Sequence, residues 1–364
     1  MNKIGWWKTK FGENERSQLL SAFDSRCFTT GTYTFELEKL LEDALGVRHV
    51  VVTNSGTSAL TMALIALDIG PGDSVMVPDI TWIATAQAVN LVGADVISID
   101  TLPGLPIMDI NLLESKMSSS VKAIIPVHMN GRSVDMISLK KYAEDKNVHL
   151  IEDACKAMFS RNQVKNGDGY LGTLGDMGCF SMGMISLVPA AYGGFIVTNN
   201  SILYEKLKVI RWHGVAYNPK EVYVSRASNF KYSDLLSSMA ISQLKDRDSK
   251  IKKLNNIYSR YKEGLSGLSF INLVPVDIEA GEIPLLNDVR SLERDSVVDY
   301  LKRFGIETCN FHAPIHEAPY LNCQGEFKNS KVMSDEAFHL PCGPDQKIEE
   351  IDYCIDILRR YKRY

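Results

Sequence analysis

Between residues 48 and 200 short apolar runs alternate with segments of helical period. The runs are HVVVTN (49–54), SVMVP (74–78), DVISID (95–100), KAIIPVHM (122–129), VHLIEDA (148–154), GCFSM (178–182) and GFIVTN (194–199). Most are apolar throughout rather than alternating, which predicts strands of a sheet covered on both faces. TSALTMALIAL (57–67), WIATAQAVNLV (82–92) and MISLKKYAEDK (136–146) predict helices between them. Strand–helix–strand repetition implies right-handed crossovers and a mostly parallel, seven-stranded α/β sheet. Ligands of such sheets bind at the carboxyl ends of the strands. Near residue 245 the composition shifts: KDRDSKIKKLNNIYSRYKEGL is a charged amphipathic helix, followed by short mixed segments. We expect an N-terminal segment and large domain over 1–244 and a small α+β domain over 245–364, with segment 1–30 packing on the latter.

Composition narrows the class. The chain has 364 residues, 23% of them charged, and a net charge of −4. That balance offers no basic footprint for nucleic acid and no polybasic membrane patch. No apolar run approaches the roughly 18 residues of a membrane-spanning helix, and the start has no signal-peptide core. Seven irregularly spaced cysteines, without a CxxC pair or zinc spacing, fit reduced thiols in a cytoplasm and no metal site.

Five places carry candidate chemistry. In TNSGTSAL (53–60) a strand ends in a polar turn and a helix begins, so free N–H groups, aided by Ser55, Thr57 and Ser58, favour an anion; a plain helix cap reads equally well. Trp82 follows a strand end, where an indole either stacks on a flat ring or joins the core. In HLIEDACKA (149–157) Glu152 and Asp153 close an apolar strand, where a buried carboxylate needs a partner, a protonated ring nitrogen for Asp153 or simply the N–H groups of a helix it caps. Ser181 ends a later strand, and YGGF (192–195) permits close backbone approach. Asn229 and Lys231 precede a helix and offer a second anion contact, or simply a surface loop.

Each signal is weak alone, but their order is specific. TTGTYTFELEKLLEDALGVRHVVVTNSGTSAL, GDSVMVPDITWIATAQAV, AIIPVHMNGRSVDM, LIEDACKA, LGDMGCFS, GGFIVTNN, WHGV and NFKYSDLLSSMAISQLKDRD together resemble, nearly end to end, the DegT/StrS-type sugar aminotransferases, pyridoxal-phosphate enzymes of fold type I. The resemblance implies a homodimer with two active sites at the interface. It would transfer an amino group from glutamate or glutamine to a keto or aldehyde sugar, usually nucleotide-linked, as in polysaccharide biosynthesis. It implies that Gly56, Thr57 and Ser181 bind the cofactor phosphate, that Trp82 stacks on the ring, that Asp153 pairs with the pyridine nitrogen, and that Asn229 reaches the phosphate of the other subunit's cofactor.

Three departures matter. The family reads FSxxxxK after the strand, and here Ser186 takes the place of the lysine that holds the cofactor. The family's Gly-Glu-Gly-Gly becomes Ala191-Tyr192-Gly193-Gly194, and its usual glutamine three residues past the aspartate becomes Lys156. A serine hydroxyl forms no imine with an aldehyde and is a poor base near neutral pH. Four accounts remain: an aminotransferase whose Ser186 leaves cofactor, as pyridoxal or pyridoxamine phosphate, trapped without a covalent bond; a Schiff base moved to Lys156; a lysine-less sugar dehydratase; or a non-catalytic homologue that binds a ligand or partner. The first is the expectation.

Overall fold

The computed structural model describes residues 3–161, 169–216 and 223–362. The large sheet contains β1 (His49–Thr53), β2 (Ser74–Pro78), β3 (Asp95–Ile99), β4 (Val121–Ile124), β5 (His149–Asp153), β6 (Met177–Ser181) and β7 (Gly194–Thr198). Their order is β1-β7-β6-β5-β4-β2-β3. Strand β7 runs antiparallel to both its neighbours, and the other pairings are parallel. The expected α/β fold, seven strands with helices on both faces, is therefore present.

Burial on both faces explains the unbroken apolar runs. Val51, Ile151, Cys179 and Ile196 enter one core with helices Gly56–Ala66 and Ser201–Arg211. Their neighbours Val50, Val52, Phe180, Phe195 and Val197 enter another with helices Thr32–Leu45 and Asp234–Lys245. Strand β4 is shorter than the run 122–129. Past Ile124 the pairing persists only in the Ile125 N–H bond to Met76 O and a parallel bridge between Val127 and Asp153, and residues Met129–Gly131 form a 3₁₀ turn with Asn130 at φ 53°. The bend is useful, because it delivers His128 and Arg132 to buried partners described below.

A second, antiparallel sheet, ordered β10-β11-β9-β8, follows a long helix, Arg247–Gly264. Its strands are β8 (Asn272–Leu273), β9 (Asn287–Arg290), β10 (Cys309–Asn310) and β11 (Ala337–Leu340). It shares a core with helix Ile348–Arg359. The helical path breaks at Asp246, between Lys245 and Arg247. The first residues run along this C-terminal part: Ile4 bridges Ile306, Trp7 bridges Cys342, and Lys8 pairs with Glu350 at 2.6 Å. Helix Glu13–Asp24 instead lies on helix Asp234–Lys245, where Ser242 donates to Glu15 at 2.7 Å. Among the described residues, no helix is long and apolar enough to cross a membrane.

Candidate active site

The carboxyl ends of β1, β5 and β6 and the start of β7 converge on one place. Ser55 caps helix Gly56–Ala66, its Oγ accepting from the Ser58 N–H at 3.0 Å. A Cβ added to Gly56 would lie 2.7 Å from Cys155 Sγ and 3.1 Å from Ser181 Cβ. The helix start thus touches the segments carrying Asp153 and Ser181, and only a residue without a side chain fits there. The close approach read from YGGF is present too. Ser55 bridges Gly193, which has φ +131°, and a Cβ on Gly194 would fall 2.5 Å from the Ser55 carbonyl carbon. Ser181 Oγ accepts from Gly183 N–H at 3.2 Å, which leaves its own proton available.

The two carboxylates that close β5 divide their roles, as alternation along a strand requires. Glu152 is fully buried: it accepts from the N–H groups of Gly172, Leu174 and Gly175 at 2.8, 2.6 and 2.7 Å and contacts His128 Nε2 at 2.9 Å. All its lone pairs are committed to holding a loop. Asp153 points the other way. Thr85 Oγ1 donates to it at 2.8 Å and the Cys155 N–H at 3.1 Å. Neither partner is a cation, so a cationic N–H brought to this carboxylate would find its charge uncompensated.

Trp82 stands at the mouth, 60% exposed. His312 lies edge-on to it, ring centroids 5.4 Å apart. It is brought from a remote segment because Asp79, just past β2, accepts from the Ile315 backbone through its carbonyl at 2.8 Å and holds His316 Nδ1 at 2.7 Å. Burial first, then the neighbouring His339 and Lys156, push the His312 imidazole down to about 4, so it is neutral at physiological pH.

Ser186 lies in the loop between β6 and β7, 1% exposed, and its Oγ donates to the Gly183 carbonyl at 2.7 Å. Two lysines, Lys250 buried and Lys156 half-buried, reach the backbone on either side of it. Lys156 Nζ donates to the Ile185 carbonyl at 2.5 Å. Lys250, from helix Arg247–Gly264, donates to the Leu187 carbonyl at 3.2 Å, to the Gln243 carbonyl at 2.9 Å and to Gln243 Oε1. Burial lowers the pKa of both amines, that of Lys250 to about 8.

Asn229 is exposed. Its carbonyl accepts from Asn54 Nδ2 at 3.1 Å, and the Phe230 carbonyl from Thr53 Oγ1 at 2.9 Å, so the end of β1 fixes this segment. Lys231 Nζ lies 4.9 Å from the Trp212 ring. Among the described residues, no group of three or more His, Cys, Asp or Glu is placed to hold a metal ion.

The model of the DegT/DnrJ/EryC1/StrS aminotransferase family matches residues 9–359. The chain belongs to that family. A relative in this aminotransferase family, GDP-perosamine synthase of Caulobacter vibrioides, is 31% identical, with 95% of this chain and 94% of that protein covered. Among solved structures, S. venezuelae DesV in complex with a ketimine intermediate covers all of both chains at 25% identity and TM-score 0.93. The E. coli GDP-4-keto-6-deoxy-D-mannose-3-dehydratase with bound hydrated PLP shares the fold, with TM-score 0.90 at 21% identity over 98% of this chain and 100% of that one.

The sequence candidates Gly56, Ser181 and Asp153 meet at one place, with Trp82, Ser186 and Lys156 around it. Sequence reasoning missed Thr85 and His312. Thr85 had a weak signal, lying one helical turn after Trp82. His312 had none, because it arrives from 230 residues away through the Asp79–His316 tie. Lys250 was likewise invisible inside a charged helical pattern.

Proposed function

We propose that the protein is a pyridoxal-phosphate-dependent aminotransferase for a nucleotide-linked keto sugar, with glutamate or glutamine as amino donor. What carries this reading is the meeting of a helix start open only to glycine, a carboxylate in no salt bridge among the described residues and an exposed indole, in a chain of this family. The residues suit the cofactor. The N–H groups at Gly56 and Thr57, the Thr57 and Ser181 hydroxyls and the positive end of the helix would hold a phosphate dianion. Trp82 would cover one ring face, and Asp153, oriented by Thr85, would keep a proton on the ring nitrogen. When bound, the cofactor supplies an electron sink for the bond broken at the substrate carbon.

A second copy of the chain completes the reading, with Asn229 turned toward the partner's phosphate. Its exposure supports this, as do the individually solvent-facing Phe23, Phe28, Phe35 and Tyr192, apolar side chains that a homodimer would cover. The nucleotide-linked substrate is supported by the 31% identity to a GDP-perosamine synthase. The seven unpaired cysteines support a cytoplasmic setting.

The test is incubation of the purified protein with pyridoxal phosphate, ¹⁵N-glutamate or amide-¹⁵N-glutamine and GDP-4-keto-6-deoxy-D-mannose, with products read by mass spectrometry. Exchange of the keto oxygen for a labelled amino group is expected. Loss of a sugar hydroxyl without nitrogen incorporation would replace this reading with dehydration. No cofactor retention and no product would leave a non-catalytic homologue.

A further inference from the structure

We propose that Lys156, and not position 186, supplies the amine that links this chain to the cofactor aldehyde; the proposal rests on the pyridoxal-phosphate reading above. Ser186 is turned back on the Gly183 carbonyl and has no nitrogen to offer. The two lysines beside it differ in one decisive respect. Lys250 directs its ammonium at three oxygens, the Leu187 and Gln243 carbonyls and Gln243 Oε1, so each of its three N–H donors has an acceptor. It is a strap between helix Arg247–Gly264 and the loop.

Lys156 is different. Among the described residues its Nζ has one hydrogen-bond acceptor, Ile185 O, and no carboxylate within 4.0 Å. A half-buried ammonium with a single protein acceptor loses solvation that the neutral amine does not need. Burial accordingly lowers its pKa, with the charges of Cys155 and Asp153 opposing. The lysine is also close to the site along the chain and through its one contact. It is three residues past Asp153, its one acceptor adjoins Ser186, and its charge is felt by His312, which packs on Trp82. Letting go of a single carbonyl frees a four-carbon stem to swing toward the cofactor.

The step balances without any oxidant or reductant. The lone pair of neutral Nζ adds to the aldehyde carbon. The carbonyl oxygen then leaves as water with the two amine protons, and a C=N bond replaces C=O. A substrate amine reverses the link by displacement and frees Lys156 to carry protons near the reacting carbon.

The experiment uses the full chain loaded with pyridoxal phosphate. Borohydride converts the C=N bond to a stable secondary amine, and peptide mass mapping locates it. A pyridoxyl group on the peptide containing Lys156 is expected. In Lys156→Gln the label should vanish, while cofactor is still retained through dialysis. In Lys156→Gln/Ser186→Lys it should return, at position 186. Cofactor retained by the wild-type chain with no label on Lys156, or with the label on Lys250 or Lys231, overturns the proposal and leaves the function reading standing. Failure of the wild-type chain to retain cofactor at all overturns both. The wild-type mapping decides the matter even if a variant does not fold.

Discussion

Replacing Asp288 with asparagine should loosen the attachment of the C-terminal sheet to the large one. Asp288, on β9, is fully buried. It pairs with Arg132 and accepts from Asn130 Nδ2 at 3.0 and 3.1 Å and from His339 Nδ1 at 2.7 Å. Arg132 and Asn130 sit on the bend after β4, so this one carboxylate joins the two sheets. Arg132 is also buried, and its other N–H groups go to the carbonyls of Pro275 at 2.9 Å and Val274 at 3.1 Å. Asp288→Asn keeps the shape and removes the countercharge.

An uncompensated buried charge of this kind costs about 3–5 kcal/mol. A chain of 364 residues has an unfolding entropy of roughly 0.76 kcal/mol/K at about 2.1 cal/mol/K per residue, so the thermal midpoint should fall by about 4–7 °C. The pH dependence adds a sign. Burial opposes the Asp288 charge, but Arg132, His339 and Asn130 together hold its pKa at about 2, below the ordinary 3.8. The folded carboxyl is the stronger acid, so its contribution is present above pH 3.8 and lost as pH falls toward 2. One pH unit corresponds to about 1.4 kcal/mol, which makes that contribution about 2.5 kcal/mol. The assay is calorimetric or circular-dichroism melting of both proteins at neutral pH and in acid. The variant's deficit should narrow as the pH drops through that window. A midpoint within about 1 °C of the parent at neutral pH, where the ion pair is fully formed, would refute the argument.

Asp153→Asn should leave the melting curve intact and abolish most amino transfer, since the amide no longer compensates a ring N–H; undiminished turnover would remove Asp153 from the site. Asn229→Ala should speed loss of pyridoxal phosphate on dialysis, and dilution of the parent to monomer should do the same; retention that ignores both changes would place the phosphate within a single chain. Gly178→Ala should destabilise the protein by about 3 kcal/mol, because its Cβ would lie 1.8 Å from the Gly172 carbonyl oxygen; an unchanged midpoint would show that the loop held by Glu152 yields freely.

The sheet was legible before any coordinates because burial on both faces leaves a mark that survives in one dimension. Val50, Val51 and Val52 face alternate cores, yet all three are apolar. The helix start at Gly56 was legible for a similar local reason, since strand end, polar turn and helix are consecutive in the chain. The run 122–129 misled at its far end. Pairing continues to a parallel bridge of Val127 with Asp153, and then the chain turns to carry Asn130 and Arg132 to Asp288. No local pattern encodes such a partner.

What the sequence by itself determined was the order of strands and helices, the family resemblance and the place of each departure, Ser186 and Lys156 among them. These follow from periodicity and turn chemistry, which act over a few residues. The tertiary structure alone decided which residues share an environment. Glu152 and Asp153 are neighbours and looked interchangeable, yet one binds a loop and the other faces the candidate site, because a strand turns successive side chains to opposite faces. Lys156 and Lys250 both reach the Ser186 loop, and only counting the oxygens around each ammonium separates Lys250, with three acceptors, from Lys156, with one among the described residues. That count depends on groups brought from Gln243, Ile185 and Leu187, contacts that exist only once the chain has closed on itself.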